Sequence, residues 1–409
     1  MSGTPLQPAL LPRYVTRFTC TQERCADTCC SGWKVNVDRE AWERFHALPP
    51  SPVREQLLKA VQPEPAPTGD QDFAWIRPTA GTLCCPMLQG GLCTVHKKLG
   101  PEGLANSCFS YPRFTRAVGD ELSQGMSLSC PEAARLALLA PDAFEFQEAE
   151  LSVRQGMVTH VALPEGLSQE DASAVRVFCL QLVRSRQVEP WVRLAVLGLF
   201  CEQLDERIRR GGAQEVPALL EQFQSQLAVP GLLAALEATE PHHAEQAAVF
   251  APLLRTGLGT PPSPVQARVL SAVAEGLGVD PQTGTVDPAM LRTHYERGVS
   301  RLPEALAASA PLLLEHYLLN ELFREAFPFD RASPFAHYLD LALRFGVLRL
   351  MLAARCTGEV LPDAAALVET VHVFCRRYQH DPQFVREARA AFHAGGWDVM
   401  PRLFPFLRA

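Results

Sequence analysis

The chain has 409 residues, of which 47% are hydrophobic and 20% charged. That is enough apolar content for a sizeable core and rules out wholesale disorder. Its 38 basic and 45 acidic residues leave a net charge of -7, so there is no global electrostatic case for binding nucleic acid or an anionic membrane. Only four lysines (Lys34, Lys59, Lys97, Lys98) and two isoleucines (Ile76, Ile208) occur. Ala, Leu, Arg and Glu favour helix and scarce Ile lowers strand propensity, so a mainly α fold is expected. Residues 1–19 lack an apolar core followed by a small-residue cleavage site. Leu341–Leu352 is apolar but interrupted by Arg344 and Arg349, which speaks against a spanning helix. The expectation is a cytoplasmic chain with no membrane insertion.

In chain order, residues 1–130 form a cysteine-rich region and residues 131–409 a helical body. Lys34–Asp38 alternates like a short strand. Pro49-Pro50-Ser51-Pro52 precedes a short helical stretch, and residues 61–72 read as a mobile loop. Residues 131–143 start with Pro131-Glu132 and read as a helix. Residues 144–163 alternate irregularly and suggest one small β-hairpin. Ser168-x-x-Asp171 opens a helix reaching Gln187. Trp191–Arg210 is apolar at helical spacing and stops at Gly211-Gly212. Further helices are expected over 214–237, 243–256, 263–276, 287–300, 303–326, 334–355, 362–379 and 382–393. No fixed period recurs, so a regular solenoid is not expected.

Nine of the thirteen cysteines fall within residues 20–130. Clustered cysteines in a reducing compartment more often bind metal or do redox chemistry than form disulfides. They stand as Cys20-x4-Cys25-x3-Cys29-Cys30, then Cys84-Cys85, Cys93, Cys108 and Cys130. Thiolates are soft ligands, and zinc or an iron–sulfur cluster are the two leading occupants. The spacing is a poor zinc-finger match, and it lacks the C-x3-C-x2-C pattern of usual radical S-adenosylmethionine chemistry. His96, three residues after Cys93, could replace a thiolate. The remaining four cysteines (Cys179, Cys201, Cys356, Cys375) sit on apolar helical patterns and read as small buried hydrophobes. His242-His243 reads as a solvated helix start.

Pro12–Asp38, with Cys20, Cys25, Cys29-Cys30-x-Gly32-Trp33 and Asp38, resembles the opening of the flagellin lysine-N-methylase (FliB) family. Cys85-Pro86-x-Leu88, Cys93, Leu99-Gly100, Cys108, Tyr111-Pro112-Arg113 and Leu128–Arg135 resemble its continuation, and Leu314–Phe323 with Phe327-Pro328 its helical tail. The first half also resembles a wider CxxCxxCC family described as zinc- or iron-chelating. The resemblance implies S-adenosylmethionine-dependent N-methylation of surface lysines of flagellin or a similar protein, together with a 4Fe–4S cluster. Carried over residue by residue, the metal ligands would be Cys20, Cys25, Cys29, Cys30, Cys85, Cys93, Cys108 and Cys130. Cys84 stands outside the pattern. Trp33 and Tyr111 read as packing residues, and Arg113 could neutralise thiolates or form a structural ion pair.

No Gly-rich nucleotide turn follows a strand. Gly257-x-Gly259 and Gly276-x-Gly278 follow helical patterns and read as helix C-caps and turns. A cofactor site therefore rests on the resemblance. It would need carboxylates or carbonyls beside an aromatic wall for a sulfonium cation. Tyr317, Asn320 and Glu321 are the candidates on the C-terminal stretch, with a plain core helix as the competing reading. The other functional class left open is a non-enzymatic zinc- or iron–sulfur-binding scaffold.

Overall fold

The computed structural model describes residues 6–81, 83–228, 231–256 and 261–408. The Gly257-x-Gly259 pattern lies outside them. The described chain is mainly helical, with three small sheets.

Helix starts follow the sequence closely because the chain marks them chemically. Pro131, Pro190, Pro264, Pro288, Pro334 and Pro382 each open a helix, where the missing N–H costs nothing. Ser168, Ser263, Asp287, Ser333, Asp363 and Asp381 each accept a backbone N–H of the first turn. The helices from Pro131 and Ser168 end early, at Leu139 and Val183, and three further departures are larger. The stretch 214–237 divides into Val216–Leu227 and Leu232–Glu237. Between them Gly231 takes φ 125°, a conformation that stops a helix. Pro303 does not end a helix: Pro288–Ser309 runs through it, and the break falls at Ala310. The buried flank Val299, Leu302 and Ala305 offsets the lost hydrogen bond there. Beyond Phe374 the chain leaves α geometry for a π-helical turn, Cys375–Gln379. A last helix, Met400–Leu407, has no counterpart in the sequence reading.

The helix Pro334–Arg355 is buried along nearly its whole length, and its polar residues His337, Asp340, Arg344 and Arg349 are buried with it. Pro190–Arg209, Pro264–Gly276 and Pro288–Ser309 pack around it. Two glycines allow that packing. A Cβ on Gly276 would stand 2.0 Å from the Ala354 carbonyl oxygen, and one on Gly298 2.2 Å from that of Ala353. Gly276→Ala or Gly298→Ala is therefore expected to cost about 1–3 kcal/mol through overpacking. Urea melts of each variant check this, and an unshifted midpoint would count against such close helix approach.

The strands are β1 Leu6–Pro12, β2 Val35–Val37, β3 Val61–Pro63, β4 Ala74–Ile76, β5 Leu88–Gln89, β6 Leu92–Cys93, β7 Arg113–Val118, β8 Glu121–Met126, β9 Phe146–Ser152 and β10 Val158–Val161. The largest sheet has the order β10-β7-β8-β1-β9. β7 and β8 form a hairpin across Gly119-Asp120. The hairpin expected over 144–163 is not formed. β9 and β10 are strands but occupy opposite edges of the sheet. β9 pairs with β1 over seven residues, from Leu6↔Ser152 to Pro12↔Phe146, a longer ladder than the four-residue β10 could offer. The 61–72 stretch is also more ordered than expected, since β3 joins β4 and β2 in a second sheet.

Buried side chains fall into two clusters. The large one unites the helical body with Leu11, Val118, Met126 and Val161 of the big sheet. The small one lies within residues 35–105 and is built on Val37, Phe45, Leu57 and Met87. Trp33, Cys85 and Cys93 pack against the small cluster, whereas Cys130 belongs to the large one. The cysteine region thus sits where the two cores face each other.

Candidate functional site

Between the cores lies a cavity of about 900 Å³. All eight cysteines of the family pattern line it: Cys20, Cys25, Cys29, Cys30, Cys85, Cys93, Cys108 and Cys130. Cys84 is not among its lining residues. Its thiol stands 3.6 Å from Ser31 Oγ, and its backbone bridges to Ser31. The four scattered cysteines (Cys179, Cys201, Cys356, Cys375) are buried elsewhere.

Each thiol is set by local backbone structure. Cys25 caps the short turn Gln22–Arg24. The Cys85 N–H donates to Cys30 O at 2.7 Å, and Gly32 N–H donates to Leu83 O at 3.1 Å, stitching the first cysteine loop to the second. The β5–β6 pair sets Cys93 opposite Leu88. Cys108 lies in the helix Asn106–Ser110, which Ser107 Oγ ties to Asn36 O at 2.7 Å. Cys130 is the N-cap of Pro131–Leu139.

Electrostatically the thiols form two sets. Cys30 acts on Cys29, Cys85, Cys93 and Cys108. Cys20 and Cys25 act on Cys130. Burial pushes Cys85 and Cys108 up to about 12, with neighbouring thiols adding to it. Burial likewise raises Cys130 to about 11, against the opposing N–H groups of Ala133 and Glu132. Cys30 differs. The hydrogen bond from Cys29 lowers it, and Thr28 and Arg376 act the same way against burial. The price of that arrangement falls on Cys29, which is raised by the same hydrogen bond and by burial.

The rest of the wall is largely apolar, with Trp33 and Tyr111 in edge-to-face contact at 4.9 Å. Phe18 and Phe109 extend the aromatic surface, and His96 joins the lining. Arg113 stacks on Phe18, 5.1 Å from its ring centre. It lies within electrostatic reach of Cys130 and Cys20. Asp27 and Glu132 are the carboxylates of the wall. Asp27 Oδ2 accepts from Gln266 Nε2 at 2.8 Å and lies 3.0 Å from His372 Nε2. Burial raises the Asp27 carboxyl, but His372 and Gln266 lower it more, so the net direction is downward.

Asp27, Gln266, His372 and Arg376 were not found by sequence reasoning. They carry no local motif, and the last three come from the far end of the chain. Conversely, Tyr317, Asn320 and Glu321 do not line the cavity. They are buried in the helix Leu313–Arg324. Asn320 Oδ1 accepts from Tyr14 OH at 2.6 Å, and its Nδ2 donates to Met126 O at 3.2 Å, fastening the helix to the big sheet. Glu321 pairs with Arg324 at 2.8 Å. The Tyr317 hydroxyl has no hydrogen-bond partner among the described residues. His242 pairs with Glu245 at 3.2 Å on an exposed helix start as the sequence suggested, but His243 is half-buried with its ring 5.9 Å from that of Tyr295. Gly276 ends a helix with Gly278 at φ 74°, as the sequence suggested.

The donor set fits a soft metal in kind and in number. Among the described residues no three of His, Cys, Asp or Glu stand close enough to hold one metal ion as they lie. Occupation therefore requires the thiols to draw together and lose their protons, which couples binding to local folding. A cavity of this size with an aromatic wall and few polar groups is also the usual form of a small-molecule site.

Among the described residues no helix is long and apolar enough to cross a membrane. No solved structure matches the chain. A Lysine-N-methylase of Salmonella typhimurium (strain LT2) is 28% identical over 227 residues, covering 52% of this chain and 53% of that protein. A Lysine-N-methylase of Salmonella choleraesuis is 27% identical over the same length. The flagellar biosynthetic protein FliU of Salmonella muenchen is 29% identical over 154 residues, covering 36% of this chain and 86% of that protein. The chain thus spans about half the length of the lysine-N-methylases it matches. The family model for the FliB lysine N-methylase C-terminal domain matches residues 176–406, more than half of the chain, and the chain belongs to that family.

Proposed function

We propose that this chain is a protein-lysine N-methyltransferase that uses S-adenosylmethionine and acts on flagellin or a similarly exposed protein surface. We further propose that the cavity cysteines hold a 4Fe–4S cluster, with zinc as the alternative occupant. The observation that carries this is the convergence of all eight family-pattern cysteines on one cavity in a chain that belongs to the FliB family. The similarity to a flagellar biosynthetic protein supports the choice of substrate.

The chemistry asks for three things. The target amine must be neutral, because an ammonium has no lone pair to attack a methyl group. As the N–C bond forms, the S–C bond breaks and its electron pair stays on sulfur, leaving a neutral thioether. The amine then loses its proton to water. The donor's sulfonium is a cation, and an aromatic wall with a carboxylate suits it. Trp33, Tyr111 and Phe109 supply such a wall, and Asp27 the carboxylate. The apolar lining favours an uncharged lysine by desolvation. A bound cluster would supply structural cross-linking and local charge. Candidate ligands are Cys20, Cys25, Cys29, Cys30, Cys85, Cys93, Cys108 and Cys130.

Anaerobic purification with iron, sulfide and zinc analysis tests the metal, and calorimetry with S-adenosylmethionine tests the donor. Mass spectrometry of flagellin incubated with both tests the reaction. Brown protein with iron and acid-labile sulfide in equal amounts, donor binding and methylated lysines are the expected results. Colourless protein with stoichiometric zinc would change the metal and keep the cysteines. Absence of both donor binding and methyl transfer would leave the chain a metal-binding scaffold.

A further inference from the structure

The loop that carries Cys29 and Cys30 is gripped from the opposite end of the sequence. Arg376 lies in the π-helical turn Cys375–Gln379, a geometry frequent at functional sites. Its Nη2 donates to Thr28 O at 3.1 Å and to Ser31 O at 2.5 Å. Those two carbonyls flank the Cys29-Cys30 pair. The guanidinium lies 3.7 Å from the centre of the Trp33 ring, and Trp33 in turn packs on Tyr111. One turn earlier, His372 holds Asp27 at 3.0 Å, and Gln266 holds the same oxygen at 2.8 Å. The segment from Asp27 to Trp33 therefore has little conformation of its own and takes its shape from the helical body.

The choice of arginine has a physical reason. A planar fork can bind two carbonyls and stack on an indole at once, which a lysine ammonium cannot. Its fixed positive charge also lies against the backbone on both sides of the Cys29-Cys30 pair. A thiolate-rich centre gathers negative charge, and its redox properties follow from net charge and hydrogen bonding around it.

We propose that Arg376 is the positioning residue of the metal centre, fixing the Thr28–Ser31 turn and compensating the charge of the Cys29–Cys30 corner. This rests on the reading above that the cavity cysteines hold an iron–sulfur cluster. Reducing the cluster by one electron adds negative charge, so a nearby cation favours the reduced form. Loss of that cation moves the midpoint potential in the negative direction.

The test uses the full chain, loaded anaerobically with iron and sulfide and titrated with dithionite in the presence of mediators. Arg376→Gln is expected to titrate at a more negative midpoint than the wild type. Arg376→Lys, which keeps the charge but not the double grip, is expected to fall between them. Arg268→Gln removes an exposed ion pair with Glu369 and is expected to match the wild type. Should Arg376→Gln fold but fail to load, loading of Arg376→Lys would support the same role. Arg376→Gln and Arg376→Lys both titrating at the wild-type midpoint would overturn it. A wild-type chain that takes up no iron and sulfide overturns the cluster reading first, before any variant is compared, and this inference with it.

Discussion

Serine at Cys30 is expected to strip most of the metal from the chain and to unfold the region around the small core. Sulfur at this position hydrogen-bonds with Cys29 and acts on Cys85, Cys93 and Cys108, so it is electrostatically coupled to four other thiols. The small core has twelve buried hydrophobic residues among those described, and four are alanines (Ala41, Ala60, Ala74, Ala105). Such a core contributes little by itself. A thiolate-bound structural metal contributes on the order of 10 kcal/mol of folding free energy, which exceeds what that core can lose and survive. The large core has many more buried residues of its own, so the helical body should keep its fold and melt as a later transition. Cys84→Ser is the matched control: it alters the neighbouring doublet but not the cavity. Cys375→Ser alters a buried thiol of the helical body. Metal analysis with thermal melts distinguishes the cases. Equal metal loss from Cys30→Ser, Cys84→Ser and Cys375→Ser would show that the cavity does not define the ligand set.

The helices were legible because their signals are local. Proline at the first position, an Asp or Ser cap and an apolar stripe all fall within one window. The sheet was not legible because its pairings are distant. β1 contains two prolines, Pro8 and Pro12, which weaken any strand signal there. It becomes a strand only because β9 and β8 flank it. The β7–β8 hairpin did leave a trace, since Gly119 takes φ 57° in a Gly-Asp turn between two alternating runs. That is a recognised hairpin signal, masked here by the cysteine motifs on either side. The cavity followed a similar division. Soft-ligand chemistry is a property of residue type, so the cysteines could be named from the sequence. Asp27, Gln266, His372 and Arg376 act through placement across 239 to 348 positions of chain, and no local pattern marks them. Asn320 and Glu321 illustrate the converse. Polar residues within an apolar helix can signal a ligand, but these two are satisfied by Tyr14, Met126 and Arg324.

Replacing Glu325 by Gln is expected to destabilise the helical body by about 3–5 kcal/mol at neutral pH, as breaking a buried ion network does. Glu325 is 5% exposed and accepts from Arg324 at 2.7 Å, Arg331 at 3.1 Å and Arg344 at 3.0 Å. His337 Nε2 lies 3.1 Å away. One carboxylate thus serves two buried arginines and closes the end of Leu313–Arg324 onto Pro334–Arg355. Glutamine keeps the shape but leaves Glu321 as the one carboxylate shared by both guanidinium groups, and its NH2 group cannot accept. The same site fixes the acid response. Burial raises the Glu325 carboxyl, but Arg344, Arg324 and His337 lower it further, so its folded-state value lies well below the ordinary one. A group depressed on folding stabilises above its unfolded value, about 4.3 for Glu, and loses that contribution as pH falls towards the folded value. The gap between wild type and Glu325→Gln should therefore be constant from pH 7 to about pH 5 and should narrow below about pH 4. Urea melts of both proteins at neutral and acidic pH measure it. A gap that is absent at pH 7, or that widens on acidification, would mean that Glu325 is a tolerated burial and not the keystone of this junction.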